Sequence, residues 1–387
     1  MLPTLWAEIS FRMALPKIET YLLRSQNAPL SISFYSTRYK PTLQSAQSFF
    51  LTVFEHAHRI ERLSITIPTH GEDLSAWLNQ ANYINTVFPT LKHLALNEAY
   101  QDTPQQDYQF IECWTVPSLR SLYSSNMFSC PLFERGKITS LELFFGAVGE
   151  DTYPVVTAGL LDILRSNPQL QHLSLTFSDA SHTSCAGPPV SMENVKSLTI
   201  GWGSAVPDEP LSQDELDFAD NIETIRELSR HIVFPNVVTV KLDLEVKIWE
   251  HVPLALQLLL DGQPTFESVT SFQLRLRCWF HPSSTCFLDS IFHKFPNLID
   301  LSIDAADPGF TNFWEAIDFG PLTPKLNSVQ MRLKGAFNKV VITRLLDSTD
   351  VQNFEITQRS LIGQSIFDKY HHKVNIVWKE EISDDYF

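Results

Sequence analysis

A short pattern of hydrophobic and polar positions recurs along this chain. It reads apolar-x-x-apolar-x-apolar, and three copies follow a Phe-Pro pair: "FPTLKHLAL" (88–96), "FPNVVTVKL" (234–242) and "FPNLIDLSI" (295–303). Eleven copies form the predicted repeats, with central residues Leu63, Leu94, Leu122, Leu141, Leu173, Leu198, Val240, Phe272, Leu301, Val329 and Phe354. The residue before each central one is polar, and Ser124 is the one polar residue at an apolar position. Such alternation predicts β-strands with one buried and one solvent-facing side.

The intervals between the copies have the length of a repeat unit. Central residues advance by 19 (Leu122 to Leu141) to 42 positions (Leu198 to Val240), which is typical of solenoid repeats. Stretches with helical periodicity lie between the predicted strands, at 42–59, 154–167, 251–262, 285–295 and 338–349. The first is expected to bury one face, made of Leu43, Phe49, Phe50, Val53 and Phe54.

Proline explains why the Phe-Pro pair recurs. It cannot continue a helix, and it favours extended geometry in the residue before it. Each Phe-Pro is therefore expected to end a helix and open the next strand. The pattern predicts an α/β solenoid with a parallel sheet on one surface and helices on the other, in which no unit buries its apolar side alone.

The same pattern divides the chain. Residues 1–58 are a predicted N-terminal cap, 59–360 the repeats, and 361–387 a C-terminal cap with an acidic tail. The longest interval contains an acidic insertion at about 203–231, because residues 205–227 hold eight acids and a single base, Arg226. This insertion is expected to lead into a helix ending near His231. A solvated loop and a partner-docking loop both explain its charge.

Composition limits the cellular compartments and the classes of partner that fit this chain. The formal net charge of the 387-residue chain is −15, which argues against nucleic acid or an anionic membrane as a partner, since both need a positive surface. No signal peptide is recognisable at the N-terminus, and no apolar run reaches the length of a membrane span. The cysteines are few and irregularly spaced, as in reduced proteins of the cytoplasm or nucleus: Cys113, Cys130, Cys185, Cys278 and Cys286.

Two short stretches suggest cofactor chemistry at first sight. "GWGSAV" (201–206) begins a dinucleotide-binding pattern, but it ends in Val206, and "PDEP" follows where the phosphate site needs a helix N-terminus. It is interpreted as a turn after a repeat strand. "CWFHPSSTC" offers Cys278, His281 and Cys286, with His293 as a possible fourth zinc ligand. Buried thiols beside a loop histidine are the simpler interpretation, so neither a cofactor nor a metal is expected.

No catalytic motif stands out elsewhere. Sequences of the G-x-S-x-G, H-E-x-x-H and G-x-x-x-x-G-K-[ST] types do not occur. His93 and His172 fall on the predicted solvent-facing side of strands. The chain is therefore predicted not to be an enzyme.

With these features, residues 60–357 resemble the leucine-rich-repeat superfamily in its long, irregular form. The N-terminal stretch is similar to the segment that follows the F-box in large fungal families of F-box proteins with repeat tails. The matching residues are Leu5-Trp6, Tyr21-Leu22, Arg24-Ser25 and Ala28-Pro29-Leu30. In that family the F-box binds the adaptor of a cullin ubiquitin ligase, and the repeats capture a protein substrate.

The resemblance implies a function in protein–protein recognition, as the substrate-receptor part of a ubiquitin ligase. Adaptor binding is expected only if an F-box precedes Met1. A repeat scaffold or truncated paralogue without a ligase link is the first alternative. An unrecognised hydrolase or transferase is the second.

Charged residues on the solvent-facing side of the later strands mark the predicted partner surface. Outward positions of the earlier strands are small or weakly polar, whereas those from the seventh strand onward carry both signs of charge. Parallel strands bring equivalent positions next to each other, and mixed charge sets register and on-rate at protein interfaces. An ordinary solvated face is the alternative. The candidate partner-binding residues are Lys241, Asp243, Arg275, Asp300, Asp304, Arg332 and Glu355.

Overall fold

The structure is a computed structural model. It describes residues 2–35, 43–67, 85–98, 113–125, 137–145, 153–178, 188–203, 229–246, 266–278, 288–305, 325–333, 343, 346–347, 351–358, 370 and 372–380. Within these ranges the protein is a mixed α/β structure dominated by a long parallel sheet, as the sequence pattern predicts.

Fourteen strands form the main sheet. They are β1 Glu8–Ser10, β2 Leu30–Phe34, β3 Ile60–Ile67, β4 His93–Glu98, β5 Ser121–Ser125, β6 Ser140–Phe145, β7 His172–Ser178, β9 Ser197–Gly203, β11 Thr239–Val246, β12 Ser271–Cys278, β13 Asp300–Ala305, β14 Ser328–Leu333, β15 Asn353–Gln358 and β16 Asn375–Glu380. They follow one another in chain order, and the sheet is open, with β1 and β16 as its edges. A second sheet pairs β8 (Val190–Ser191) with β10 (Ile232–Val233).

Four α-helices lie wholly within the described ranges: α1 Leu15–Ser25, α2 Leu43–Phe54, α3 Tyr153–Ser166 and α4 Leu288–Lys294. Short 3₁₀ helices cover Pro3–Trp6 and Ala57–Arg59. The helices predicted at 42–59, 154–167 and 285–295 are confirmed in part or whole by α2, α3 and α4. The predicted helix at 251–262 and most of the one at 338–349 lie outside the described residues.

The chain divides into two compact units, Met1–Leu175 and Thr176–Phe387. Strands β1 to β6 belong to the first and β9 to β16 to the second, while the boundary falls inside β7. Strands β1, β2 and β16 lie within the segments 1–58 and 361–387, which are predicted as caps outside the repeats.

The predicted apolar positions form the core of each unit. All of them are buried except Ile200, which is half-buried. Ser124, the one polar residue in the set, is also fully buried. The expectation for α2 is confirmed for Phe49, Phe50, Val53 and Phe54 but wrong for Leu43, which is 37% exposed. Leu43 is the first residue of α2, and its side chain at the helix end is partly open to solvent.

The Phe-Pro pair opens a turn. In "FPTL" the Leu91 N–H donates to the Phe88 carbonyl, and in "FPNL" the Leu298 N–H donates to the Phe295 carbonyl. This closes a β-turn with proline at its second position, where its fixed φ is favoured. Helix α4 ends directly before Phe295, as predicted. Before Phe234, in contrast, the helical residues end at His231 and the short strand β10 intervenes, so the prediction that each Phe-Pro ends a helix is wrong there.

The third residue of these turns, and of the turns at 116–119, 167–170 and 266–269, links neighbouring repeats. Its side chain donates a hydrogen bond to a backbone carbonyl about one repeat earlier in the chain. The bonds are Thr90 to Ile60 (3.0 Å), Ser118 to Pro89 (2.6 Å), Gln169 to Ile138 (3.3 Å), Asn236 to Glu193 (3.0 Å), Ser268 to Val237 (2.7 Å) and Asn297 to Glu267 (2.8 Å). Side chains at the turns thus satisfy carbonyl groups just before and at the strand entrances.

Candidate docking face

All seven candidate partner-binding residues lie on one side of five neighbouring strands, β11 to β15, within the second unit. Leucine residues between them, such as Leu242 and Leu274, are buried, so the charged positions alternate onto the opposite, outward side. We call the outward side of β11 to β15 the charged face. The structure therefore assembles residues spread over more than one hundred positions of sequence into one surface.

Four of the seven residues stand in a single row across the strands. Asp243 is the register partner of Arg275, Arg275 of Asp304, and Asp304 of Arg332. The signs along this row alternate: negative, positive, negative, positive. We call this row the charge ladder.

The four residues of the charge ladder form two ion pairs. A guanidinium nitrogen of Arg275 lies 3.4 Å from a carboxylate oxygen of Asp243, and one of Arg332 lies 3.5 Å from an oxygen of Asp304. The two arginine side chains are 41% and 49% exposed. Exposed pairs of this kind each contribute about 0–1 kcal/mol to stability, so they can exchange partners at little cost.

A third ion pair beside the ladder is absent from the sequence-predicted set. Arg277 lies 3.3 Å from Glu245, one outward position further along β12 and β11. The sequence carries a signal for it, because the alternation in "KLDLEV" and "QLRLRC" continues four residues past the repeat pattern. The predicted set stops one residue past the six-residue pattern and therefore misses this pair.

The other three candidates flank the ladder. Lys241 lies beside Thr199 and Gln273, Asp300 beside Ser271 and Ser328, and Glu355 beside Gln330. Their register neighbours are uncharged. They belong to the same face as the ladder but form no cluster with one another.

The stretch "GWGSAV" is placed differently from its predicted turn. Gly201 to Gly203 are the last three residues of β9, and residues 204–206 lie outside the described part. A Cβ on Gly201 would lie 2.7 Å from Oγ1 of Thr176, whereas one on Gly203 would meet nothing closer than 3.8 Å. Gly201 is thus a packing glycine inside a strand.

The structure describes only some of the residues considered as metal ligands or catalytic histidines. The Cys278 side chain, His281 and Cys286 lie outside the described residues, and His293 is exposed at the end of α4. In the described ranges no three His, Cys, Asp or Glu side chains come together as a metal site. His93 and His172 are exposed on strands β4 and β7, as predicted. The acidic insertion is described only from residue 229 onward.

The outward side of the first unit differs from the charged face. Its described residues are mostly small, and Tyr123 on β5 is its largest hydroxyl-bearing side chain. Burial raises the pKa of the Tyr123 hydroxyl, the carboxylate of Glu142 raises it further, and a hydrogen bond with Ser125 opposes both. Glu142 is the register partner of Tyr123 on β6.

The residues that carry the F-box-protein resemblance cluster in the first unit. The rings of Trp6 and Tyr21 pack edge to face at 5.0 Å, and the Arg24 guanidinium lies 4.5 Å from the Trp6 ring centre. Ser25 is fully buried and accepts a 2.5 Å hydrogen bond from Arg59.

Exposed leucines lie near these residues in the sequence. Leu2, Leu5 and Leu23 are 68%, 70% and 80% exposed. They belong to the 3₁₀ helix at the N-terminus and to α1, or lie next to them.

Comparison with known protein-family models and with curated proteins finds no match for this chain. Among the described residues, no helix has both the length and the hydropathy required to cross a bilayer.

Proposed function

We propose that this protein is a recognition module of the leucine-rich-repeat type, a solenoid that captures a protein target on its charged face. The observation that carries the proposal is the charge ladder on consecutive parallel strands. It presents arginine and carboxylate groups at a regular spacing of about 4.8 Å. Arginine is enriched among the residues that dominate binding energy at interfaces, and alternating charges fix the register of a bound partner.

The more specific proposal is that the target is a ubiquitin-ligase substrate. It rests on the resemblance of Leu5-Trp6, Tyr21-Leu22 and Arg24-Ser25 to the segment after an F-box. The packing of Trp6 against Tyr21 and Arg24 supports it, since the resembling residues act as one structural unit. Adaptor binding is proposed only for a chain in which an F-box precedes Met1.

Photo-crosslinking tests target capture. A photoreactive amino acid replaces Gln273, which is exposed at the centre of the charged face, and in a control protein it replaces Gln171 in the first unit. In lysate of the source organism, the Gln273 protein is expected to form a defined adduct that the control does not form. The double variant Arg275→Ala/Arg332→Ala should reduce this adduct at least fivefold while its melting temperature stays unchanged.

Two results would count against target capture by this face: identical adducts from both crosslinking positions, or an adduct that the double variant leaves intact. The ligase link has its own test. The purified adaptor is mixed with the chain extended by the coding sequence upstream of Met1, and failure to bind removes the link without touching target recognition.

A further inference from the structure

The charge ladder is complementary to itself when it is read backwards. From β11 to β14 its signs are negative, positive, negative and positive, in the order Asp243, Arg275, Asp304, Arg332. Reversal gives positive, negative, positive, negative, so every member faces an opposite charge. A row with this property matches a second copy of the same chain across a two-fold axis, because in such an interface residue i contacts j and j contacts i.

We propose that two copies of this protein associate through their charged faces. The two-fold axis runs in the interface, parallel to the strands and between β12 and β13. It places Asp243 over Arg332 of the second copy and Arg275 over its Asp304, and each contact occurs twice. A two-fold axis parallel to the ladder is excluded by charge, since it would set Asp243 over Asp243 and Arg275 over Arg275.

The neighbouring outward positions tolerate this arrangement. The same axis sets Lys241 over Gln330 and Asp300 over Ser271, because β11 faces β14 and β12 faces β13. No like charges meet among these described positions. With the pairs that exist within each copy, the ladders form a double row in which every nearest neighbour has the opposite sign. Networks of this kind contribute more than isolated exposed pairs do.

Size and charge predict a weak, reversible dimer. Four strands about 4.8 Å apart and roughly five residues long at about 3.3 Å each cover about 320 Å² per copy. A stable interface buries about 800 Å² per partner. The net charge of −15 on each copy also opposes association. At about 0.1 M salt the Debye length is about 10 Å, so distant repulsion is screened while contacts at ion-pair distance persist.

This inference does not rest on the proposed function, since it follows from the charge pattern whether or not the face captures a target. If both hold, self-association covers the docking face and competes with the target. Dimerisation is measured with purified protein and target capture in lysate, so each can fail without the other.

Charge-swap variants and analytical ultracentrifugation test the dimer. An acidic-ladder variant carries Arg275→Glu and Arg332→Glu, and a basic-ladder variant carries Asp243→Lys and Asp304→Lys. In about 0.1 M salt the parent is expected to show concentration-dependent association. Each variant alone should associate at least tenfold more weakly, and an equimolar mixture of the two should recover the parent's association.

Net charge predicts a different order, which separates the two explanations. The parent carries −15, so the acidic-ladder variant carries −15 − 4 = −19 and the basic-ladder variant −15 + 4 = −11. If global repulsion controlled association, the basic-ladder variant would associate more strongly than the parent. The ladder contacts predict that it associates less.

Two controls protect the test. The swap Glu61→Lys/Lys92→Glu inverts an exposed 3.0 Å ion pair in the first unit and should leave association unchanged. If a charged variant unfolds, the neutral variant Asp243→Asn/Arg275→Gln/Asp304→Asn/Arg332→Gln replaces it and should be monomeric. A parent that stays monomeric at millimolar concentration, a neutral variant that still associates, or a mixture that fails to recover association overturns the proposal.

Discussion

Burial alternates from one residue to the next along the strands, so adjacent substitutions have unequal costs. Leu301 is 1% exposed, whereas its neighbour Ser302 on β13 is half-buried on the outward side. The core residue loses dispersion contacts and leaves a cavity when it is shortened.

Leu301→Ala is therefore expected to lower the free energy of unfolding by about 2–5 kcal/mol. Ser302→Ala should change it by no more than about 0.5 kcal/mol, since it removes only an outward hydroxyl. Urea unfolding measures both. Equal losses for the two variants would mean that the strand faces are assigned wrongly.

The glycines of β9 offer a second matched pair. A Cβ at Gly201 would meet the stiff side chain of Thr176 at 2.7 Å, whereas Gly203 has room for one. Gly201→Ala is expected to destabilise by about 1–3 kcal/mol through overpacking, and Gly203→Ala to be neutral or slightly stabilising. Thermal melts of the two variants decide this. A neutral Gly201→Ala would show that Thr176 moves aside without cost.

The stability of the fold is expected to depend on pH through the partly buried hydroxyl of Tyr123. Its raised pKa means that the folded state holds the phenol proton more tightly than the unfolded chain does. Stability from this group is therefore fully present below the unfolded pKa of about 10 and is lost as pH rises through the higher folded pKa. Glu142→Gln should move the pKa of Tyr123 back towards its ordinary value, as followed by NMR of the tyrosine ring carbons. Glu61→Gln is the control and should not move it.

At the scale of secondary-structure elements, one type of β-turn recurs before the strands. Its second position favours proline, and the side chain of its third residue donates a hydrogen bond. In each, the third residue reaches a carbonyl about one repeat earlier, at Thr90, Ser268 and Asn297 among others. These hydrogen bonds hold neighbouring repeats together at the strand entrances. These turn residues lie before the strand.

Ser268→Ala tests this link between repeats. The hydroxyl donates to the Val237 carbonyl at 2.7 Å and approaches the Pro235 carbonyl at 3.2 Å. Its loss should cost about 0.5–1.5 kcal/mol of unfolding free energy. Ser271→Ala, three residues later on the outward side of β12, is the matched control and should cost no more than about 0.5 kcal/mol. If the control costs as much as Ser268→Ala, the turn hydrogen bond is not the cause.

Net charge acts at the scale of the whole molecule. At −15 the protein repels polyanions over distances set by the ionic strength, and the arginines of the charge ladder are paired with carboxylates. The charge ladder therefore carries no net positive charge, although it contains two arginines.

We therefore expect no binding to nucleic acid. Neither a DNA duplex nor single-stranded RNA should shift in a gel mobility assay at physiological salt, because phosphate binding depends on releasing counterions to uncompensated cations. The neutral variant Asp243→Asn/Arg275→Gln/Asp304→Asn/Arg332→Gln is the control, and it should likewise shift neither nucleic acid. A shift by the parent alone would show that Arg275 and Arg332 are available to phosphates.

Much of the sheet can be predicted from the sequence because alternation reflects a local constraint. A residue such as Leu173 or Leu301 must face the core if its neighbours are polar, and the parallel α/β class follows from the repeat interval. The same alternation places Asp243, Arg275 and Asp304 on one outward side. Strands β2 and β16 were missed because their segments do not contain the full six-residue pattern. Strand β1 was missed although Trp6, Ile9 and Phe11 match the pattern, because its segment was assigned to the N-terminal cap.

Only the tertiary structure decided the contacts between repeats. The sign order of the charge ladder, the pairing of Arg277 with Glu245, and the approach of Thr176 to Gly201 depend on which strands are neighbours and in what register. The partners are separated by 25 to 32 residues of chain, and nothing local in either strand encodes that separation. Alternation is a property of one strand and can be read from it, whereas register is set by packing between strands and needs the fold.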